Sequence, residues 1–349
     1  MTTEPTLPQV SSKKRYIVLL AVIGLVIVGW SGAWTYGRSM LADQLDLQMA
    51  RITGNGLELG CADLRIAGYP FRYEIRCTDL TSKDRFGAEG NLGSLNAVTL
   101  VYNPWHVILE ADAPAAIAVP VNGLSGDISW DTARASVKYS MDGLGDLDMV
   151  LTKPKAAFQN SFSAAAASSE KAELHLRKAP DLPDGVDGFV SVDDLKLENV
   201  PELNDLLNLR VHLRLENGAP LLSGANLALL TQMNDGQLPI QLVFSEIKSG
   251  HSRFGASGDL VLDGNGLLSG QVKLSLSNPE QALAMIKPLF PSQDNGSSVA
   301  EGLFKSLKPT ATDPDGNPAI ELPLVIDQGM MRIGFVTLGW IPPLFQAGI

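Results

Sequence analysis

Residues 16–36 read YIVLLAVIGLVIVGWSGAWTY, a run of 21 residues without a charged side chain. An α-helix rises 1.5 Å per residue, so about 20 apolar residues cross the hydrocarbon core of a bilayer. No other charge-free run in the sequence is as long. The sequence therefore predicts one transmembrane helix over 16–36, with a tail of residues 1–15 before it and the bulk of the chain after it.

The charges that flank this run predict its orientation. Three basic residues, 13–15, precede it, and Arg38 is the one base close behind it. Basic residues stay on the cytoplasmic side of a span, so the tail is expected in the cytoplasm and the rest of the chain outside. Trp30, Trp34 and Tyr36 cluster at the exported end, where amphipathic rings favour the headgroup layer.

A cleaved signal peptide is the competing interpretation of the same segment. The basic start and apolar core fit one, and residues 31–33 form a small-x-small cleavage pattern. The apolar run is long for a signal peptide, and Trp30 and Trp34 crowd the cleavage position. An uncleaved anchor is therefore favoured, and the bulk of the chain is exported under either interpretation.

The exported part is acidic. Of 27 basic and 38 acidic residues, four basic and one acidic precede residue 39, which leaves a net charge of −14 for the remainder. This charge argues against binding of nucleic acid and against broad docking onto anionic headgroups. The 33 glycines and 21 prolines predict many short strands and turns.

The segment behind the span continues its helical pattern. Leu41, Leu45, Gln48 and Ile52 recur at helical spacing, which predicts a juxtamembrane helix over 37–53 that lies against the following domain. Two glycines at 54–56 end it. Residues 54–349 are then expected to form the exported β-rich domain.

An alternation of period two begins at once and predicts a β-hairpin. Leu57, Leu59 and Cys61 alternate with polar residues or glycine, and after a turn at 68–70 the pattern resumes towards Cys77. A hairpin centred on residue 69 places Cys61 and Cys77 opposite each other, close enough for a disulfide in an oxidising compartment. Two free, buried cysteines are the alternative.

Further alternating runs, the clearest at 209–215 and 272–276, predict strands with one apolar and one polar face. Short helices are expected at 201–208, 279–287 and 299–307. The predicted fold is mainly β: a large curved antiparallel sheet or sandwich with a few short helices, preceded by one transmembrane helix.

Such a sheet has a broad apolar face, and helices of about two turns are too short to cover it. The face is then either an open apolar trough that binds a ligand or the inside of a closed sandwich. The candidate trough residues are Leu57, Leu59, Val211, Leu213, Leu215, Val272, Leu274 and Leu276.

Residues 85–92 and 253–260 match at six of eight positions. A duplicated strand–turn–strand unit would divide the domain into two related halves with a boundary near 165–185. Chance similarity between glycine-rich turns explains the match equally well.

Sequence signatures of enzymes are sparse. The chain has no G-x-S-x-G, H-E-x-x-H or P-loop motif, and its four histidines are not spaced as metal ligands. Residues 313–317 (DPDGN) are rich in oxygen ligands, but the glycine position favours an ordinary turn over a calcium loop. The chain is expected to be no enzyme and to bind no cofactor or metal.

Three segments carry a resemblance to a known family. The third runs from Leu322 to Leu344 with glycines at 329, 334 and 339, and the first two are Gly68-Tyr69-Pro70-Phe71-Arg72 and Tyr102-Asn103-Pro104-Trp105. Together they resemble the uncharacterised proteobacterial envelope family known as domain of unknown function 2125. That resemblance implies a single span in the bacterial inner membrane and a periplasmic domain.

Residues 256–276 are also similar, more weakly, to strand pairs of the AsmA-like envelope proteins. That similarity implies a curved sheet whose apolar trough takes part in moving or organising lipid. The predicted function is therefore a membrane-anchored, periplasmic, non-enzymatic module for lipid or another apolar ligand. The alternative is a scaffolding protein with partners in an envelope complex. Under a purely structural interpretation, the motif residues serve only turns and packing.

Overall fold

A computed structural model of the protein describes residues 12–345, except 55, 86, 121–122, 142, 161–163, 199–204, 251, 279–307 and 314. A single helix, α1 (Ser12–Gly54), covers both the predicted span and the juxtamembrane segment, and it is long and apolar enough to cross a membrane. Two short helices, α2 (Ala219–Leu222) and α3 (Leu227–Met233), follow much later.

The rest of the described chain is mainly β, as the sequence predicts. Its strands form one large sheet, and every pairing among them is antiparallel. The strands are β1 (Leu57–Ala67), β2 (Arg72–Asp84), β3 (Glu89–Leu100), β4 (Asn103–Val119), β5 (Leu124–Ser129), β6 (Thr132–Ser140), β7 (Gly143–Thr152), β8 (Lys155–Gln159), β9 (Ala164–Ser168), β10 (Lys171–Lys178), β11 (Val186–Leu197), β12 (Leu207–Leu215), β13 (Gln237–Ser249), β14 (Ser252–Asp263), β15 (Leu268–Ser277), β16 (Ala311–Thr312), β17 (Pro318–Asp327), β18 (Met330–Ile333) and β19 (Val336–Trp340).

The sheet is an up-and-down meander of long, interrupted strands. One half of β4 pairs with β5 and the other half with β6, so β5 and β6 act as two halves of one strand. The same holds for β7 with β8 and for β9 with β10. Left-handed residues mark the interruptions, including Asp79, Lys153 and Asp194 with φ between 48° and 52°. The strands on both sides of 165–185 pair in one continuous ladder.

The first hairpin contains the predicted disulfide, but the predicted register is wrong. Cys61 pairs with Leu80 and Cys77 with Leu64, so the two cysteines are offset along the hairpin. Asp79, in the left-handed region, interrupts the ladder beside them. The Cα atoms of Cys61 and Cys77 still lie 5.6 Å apart and the sulfurs are bonded. The two cysteines are therefore bonded beside the irregularity at Asp79, although they are not paired directly in the ladder.

The predicted helix at 201–208 is also wrong over the part that the structure describes. Residues 205–206 are not helical, and β12 begins at Leu207, because the alternating pattern of 209–215 extends backwards to it. Residues 201–204 and the predicted helices at 279–287 and 299–307 lie outside the described residues.

The tightest packing lies towards the C-terminal end of the sheet. One apolar cluster joins β15, β17 and β18, and a second packs α3 against β13 and β14. The buried members are Val272, Leu274, Leu276, Ile320, Leu322, Leu324, Ile326 and Ile333 in the first cluster, and Leu230, Leu238 and Leu262 in the second.

Candidate functional site

Strand pairing brings apolar side chains onto one face of the whole sheet. Directly paired residues in an antiparallel ladder point to the same face, so the register can be followed from strand to strand. One such ladder crosses 13 strands from β1 to β17 and is apolar throughout: Leu64, Cys77, Leu95, Ala111, Ala133, Leu151, Ala172, Val192, Leu209, Ile247, Phe254, Leu276 and Ile320.

The neighbouring ladder on the same face has one polar member, a serine. It consists of Ile66, Ile75, Ala97, Leu109, Ala135, Met149, Leu174, Val190, Val211, Ser245, Ala256, Leu274 and Leu322. Adjacent strands lie about 4.8 Å apart, so this apolar face extends for about 58 Å across the sheet.

The opposite face is polar along the same strands. Its ladder alternates with the apolar ones and contains Arg65, Arg76, Asn96, Glu110, Arg134, Val150, Glu173, Ser191, Arg210, Glu246, Gly255, Ser275 and Glu321. Ion pairs run across it, such as Arg134 to Glu110 at 2.9 Å. Water suits this face, so the two faces of the sheet have opposite solvent preferences.

Six of the eight predicted trough residues, those on β12 and β15, lie on the apolar face. The pairings above place Val211 and Leu274, and strand alternation adds their neighbours on β12 and β15. Leu57 and Leu59 share the alternation of Cys61 on the first part of β1, and the disulfide from Cys61 joins that part to Cys77 of the apolar face.

The face differs in exposure along its length. Leu64, Val190 and Leu213 are 40–41% exposed, whereas Leu276 and Ile320 are 0% and 1% exposed. The expectation of an open trough is therefore wrong for Val272, Leu274 and Leu276, which pack against the alternating residues of β17. The accessible part of the apolar face lies between β1 and β12, and we call it the open apolar face.

The first family motif forms the β1–β2 turn and contacts α1. Gly68 adopts a φ of 104°, and a Cβ there would lie 2.7 Å from the carbonyl oxygen of Arg72, so glycine is required. The indole N–H of Trp30 donates to the carbonyl of Pro70 at 2.8 Å, and that of Trp34 donates to the carbonyl of Arg72 at 3.1 Å.

Ring contacts strengthen this junction. Trp34 stacks on Tyr73 at 5.6 Å between ring centroids and meets Tyr69 edge-on at 5.4 Å. Trp30 lies 6.2 Å from Phe71. Sequence reasoning assigned Trp30 and Trp34 to the headgroup layer and missed that they bind the turn, although four aromatic residues at 69–73 and 34 were a signal for such packing.

The second motif forms the next turn along the same edge of the sheet. The backbone N–H of Val101 donates to the carbonyl of Phe71 at 3.0 Å, which joins the two turns. Tyr102 and Trp105 point into solvent and are 74% and 51% exposed. The structure thus brings both motifs together beside α1, at one corner of the apolar face.

Charged clusters lie apart from this corner. Asp187 is 4% exposed, and Arg214 donates to both of its carboxylate oxygens at 2.7 and 3.1 Å. These hydrogen bonds outweigh burial and hold the pKa of Asp187 below its usual range. Asp181 also accepts from Arg214, at 3.0 Å.

In the candidate calcium loop, the carboxylate of Asp313 already accepts hydrogen bonds from protein groups. Burial favours a raised pKa for Asp313, but bonds from Ser277 at 2.7 Å and from the backbone of Asn317 at 2.7 Å hold that pKa below its usual range. Within the described part of the chain, no three His, Cys, Asp or Glu side chains are grouped as metal ligands. Asp313 therefore stabilises a turn.

One comparison with known proteins gives a match. The model of the family described as "Uncharacterized protein conserved in bacteria (DUF2125)" matches residues 34–342, which include Trp34, both turn motifs and the C-terminal strands. Searches of the curated proteins and of the solved structures return no significant match.

Proposed function

We propose that this protein, which belongs to the DUF2125 family, is a membrane-anchored, non-enzymatic module whose exported sheet binds lipid acyl chains along its open apolar face. The observation that carries the proposal is the continuity of that face. Two neighbouring ladders of 13 residues contain a single polar side chain between them.

Exposure supports a ligand over simple packing. Contiguous apolar surface of this extent is rare on soluble proteins and marks a site of contact with another apolar surface. Leu64 on β1, and the neighbouring Val190 and Leu213 on β11 and β12, are each about two fifths exposed, so the face is accessible near both ends of the range from β1 to β12. An acyl chain suits such a surface because it needs no hydrogen-bond partner and can lie across many strands.

The anchor supports a lipid as the ligand. Helix α1 is long and apolar enough to span a bilayer, and three basic residues precede its apolar run. We infer that α1 crosses the bacterial inner membrane with residues 1–15 in the cytoplasm and the sheet in the periplasm. The open apolar face then starts next to a lipid source.

The test is the lipid content of the full chain purified in a mild detergent, with Leu213→Asp compared with Arg210→Asp on the same strand. Both variants add a carboxylate to β12, but the first places it on the apolar face and the second on the polar face. We expect bound phospholipid in the wild type and in Arg210→Asp, and a several-fold loss in Leu213→Asp at an unchanged melting temperature.

Two results would contradict the proposal. One is a wild-type protein that carries no phospholipid from cells, and the other is equal lipid content in the two variants. A stoichiometric protein partner without lipid would favour the scaffolding alternative.

A further inference from the structure

Three neighbouring turns at one edge of the sheet carry exposed apolar and aromatic side chains. They are the β1–β2 turn (68–71), the β3–β4 turn (101–102) and the described residues 140, 141 and 143 between β6 and β7, and we call them the membrane-side rim. Phe71 is 62%, Tyr102 74% and Met141 93% exposed. Exposed residues of this size on three successive turns form a patch and not scattered surface residues.

The contacts of α1 fix the depth of this rim relative to the helix. Trp30 donates to the carbonyl of Pro70, and Ser31 is within 2.8 Å of the Tyr69 hydroxyl. Trp30 precedes Tyr36, the end of the charge-free run, by six residues, which is about 9 Å along a helix. If residues 16–36 lie in the bilayer, the β1–β2 turn lies beside the last 9 Å of the span.

We infer that the membrane-side rim inserts into the interfacial layer of the exported leaflet of the bilayer that α1 crosses. This inference rests on the span in the proposed function but not on lipid binding by the sheet. Tyrosine, tryptophan and other amphipathic or apolar side chains favour that layer, where an apolar body and a polar tip are both accommodated.

The charge pattern along the same edge limits the contact to these three turns. The next loop, 179–185, carries two carboxylates, Asp181 and Asp184, against the single Asp142 of the β6–β7 turn, and it has no exposed large apolar side chain. Carboxylates are repelled by the negative surface of a bacterial membrane, so the edge is expected to leave the bilayer there. Insertion of a few apolar turns also fits an exported part with a net charge of −14, which has no attraction to anionic lipid.

The inserted rim would open the apolar face towards the acyl chains. Tyr73, which stacks on Trp34, belongs to that face and pairs with Thr99, which pairs in turn with Val107. These residues form the last ladder before the turns. A lipid could therefore pass from the leaflet onto the sheet without crossing water.

The experiment uses the full chain in vesicles of phosphatidylethanolamine and phosphatidylglycerol. Both native cysteines are in the disulfide, so an introduced cysteine is the single free thiol for an environment-sensitive fluorophore. Tyr102→Cys and Met141→Cys report on the rim. Val26→Cys reports on the span, and Phe335→Cys is the matched control, because Phe335 is equally exposed but lies between the last two strands.

We expect nitroxide lipids labelled near the headgroup to quench positions 102 and 141 several-fold more than position 335, and deep nitroxides to quench position 26. If position 26 is quenched but positions 102 and 141 are quenched no more than position 335, insertion of the membrane-side rim is contradicted and the span of α1 is not. An unquenched position 26 would overturn both. Neither outcome bears on lipid content at Leu213, which is measured separately.

Discussion

At the scale of single residues, the Cys61–Cys77 bond closes a loop in the hairpin that lies against α1. The two cysteines are 16 residues apart in sequence, and a cross-link over such a loop reduces the conformational freedom of the unfolded chain. We expect the double variant Cys61→Ala, Cys77→Ala to lose about 3 kcal/mol of unfolding free energy under oxidising conditions. Denaturant unfolding measures this loss of free energy, and the wild-type protein unfolded in the presence of reductant is the control. Equal stability of variant and wild type in oxidising buffer would show that the bond is absent or without effect.

The buried Asp187 makes stability depend on acid pH. Its pKa is lower in the folded state, mainly because Arg214 donates to it. Its contribution is therefore fully present above the unfolded pKa, near 4, and is lost as pH falls through the folded value. We expect Asp187→Asn to lower the melting temperature at pH 7 and to approach the wild type below about pH 4.

The control for this prediction is Asp181→Asn, because Asp181 binds the same guanidinium from an exposed position. That variant should change the melting temperature little at any pH, as exposed ion pairs contribute little. A difference between Asp187→Asn and wild type that stays constant from pH 7 to pH 3 would contradict the assignment.

At the scale of elements, the sequence predicts the strands and their faces better than their partners. Alternation in 209–215 and 272–276 places the predicted trough residues of β12 and β15 on the observed apolar face, because side-chain direction is a local property of a strand. The predicted hairpin register fails at the β1–β2 turn, which is longer than expected: Ala67 pairs with Glu74, and the same register continues to Leu57 and Asp84.

Packing partners that are distant in sequence could not be predicted from the sequence either. Val272, Leu274 and Leu276 are buried in a cluster with residues of β17, which lies more than 40 residues further along the chain. Trp30 and Trp34 bind a turn almost 40 residues away. A local pattern names the side chains that avoid water, but the partner that covers them depends on the whole topology.

The junction between α1 and the β1–β2 turn is expected to hold the sheet against that helix. Trp34→Ala removes two ring contacts and one hydrogen bond, and aromatic contacts of this kind contribute about 0.5–1.5 kcal/mol each. We expect faster hydrogen exchange at the turn and a loss of about 2 kcal/mol in local opening free energy. Tyr36→Ala is the matched control, because Tyr36 is a neighbouring aromatic that is 72% exposed. Identical exchange in the two variants would contradict this role.

At the scale of the whole molecule, one sheet has an apolar face and a polar face. The apolar face extends for about 58 Å, roughly twice the thickness of a bilayer core. Its apolar face is closed towards the C-terminal strands and open towards the strands beside α1. This polarity gives the face a direction, with the open end at the anchor. That arrangement suits the proposed binding of lipid by the open apolar face.

Site-specific photo-crosslinking in cells tests lipid binding by the open apolar face most directly. A photoreactive phenylalanine analogue replaces Leu213 or Val190 on the apolar face, and Arg210 on the polar face of β12 is the matched control position. We expect a phospholipid-sized mass increase at positions 213 and 190 and none at 210. The absence of lipid adducts at both apolar positions, or equal adducts at 210, would contradict the account.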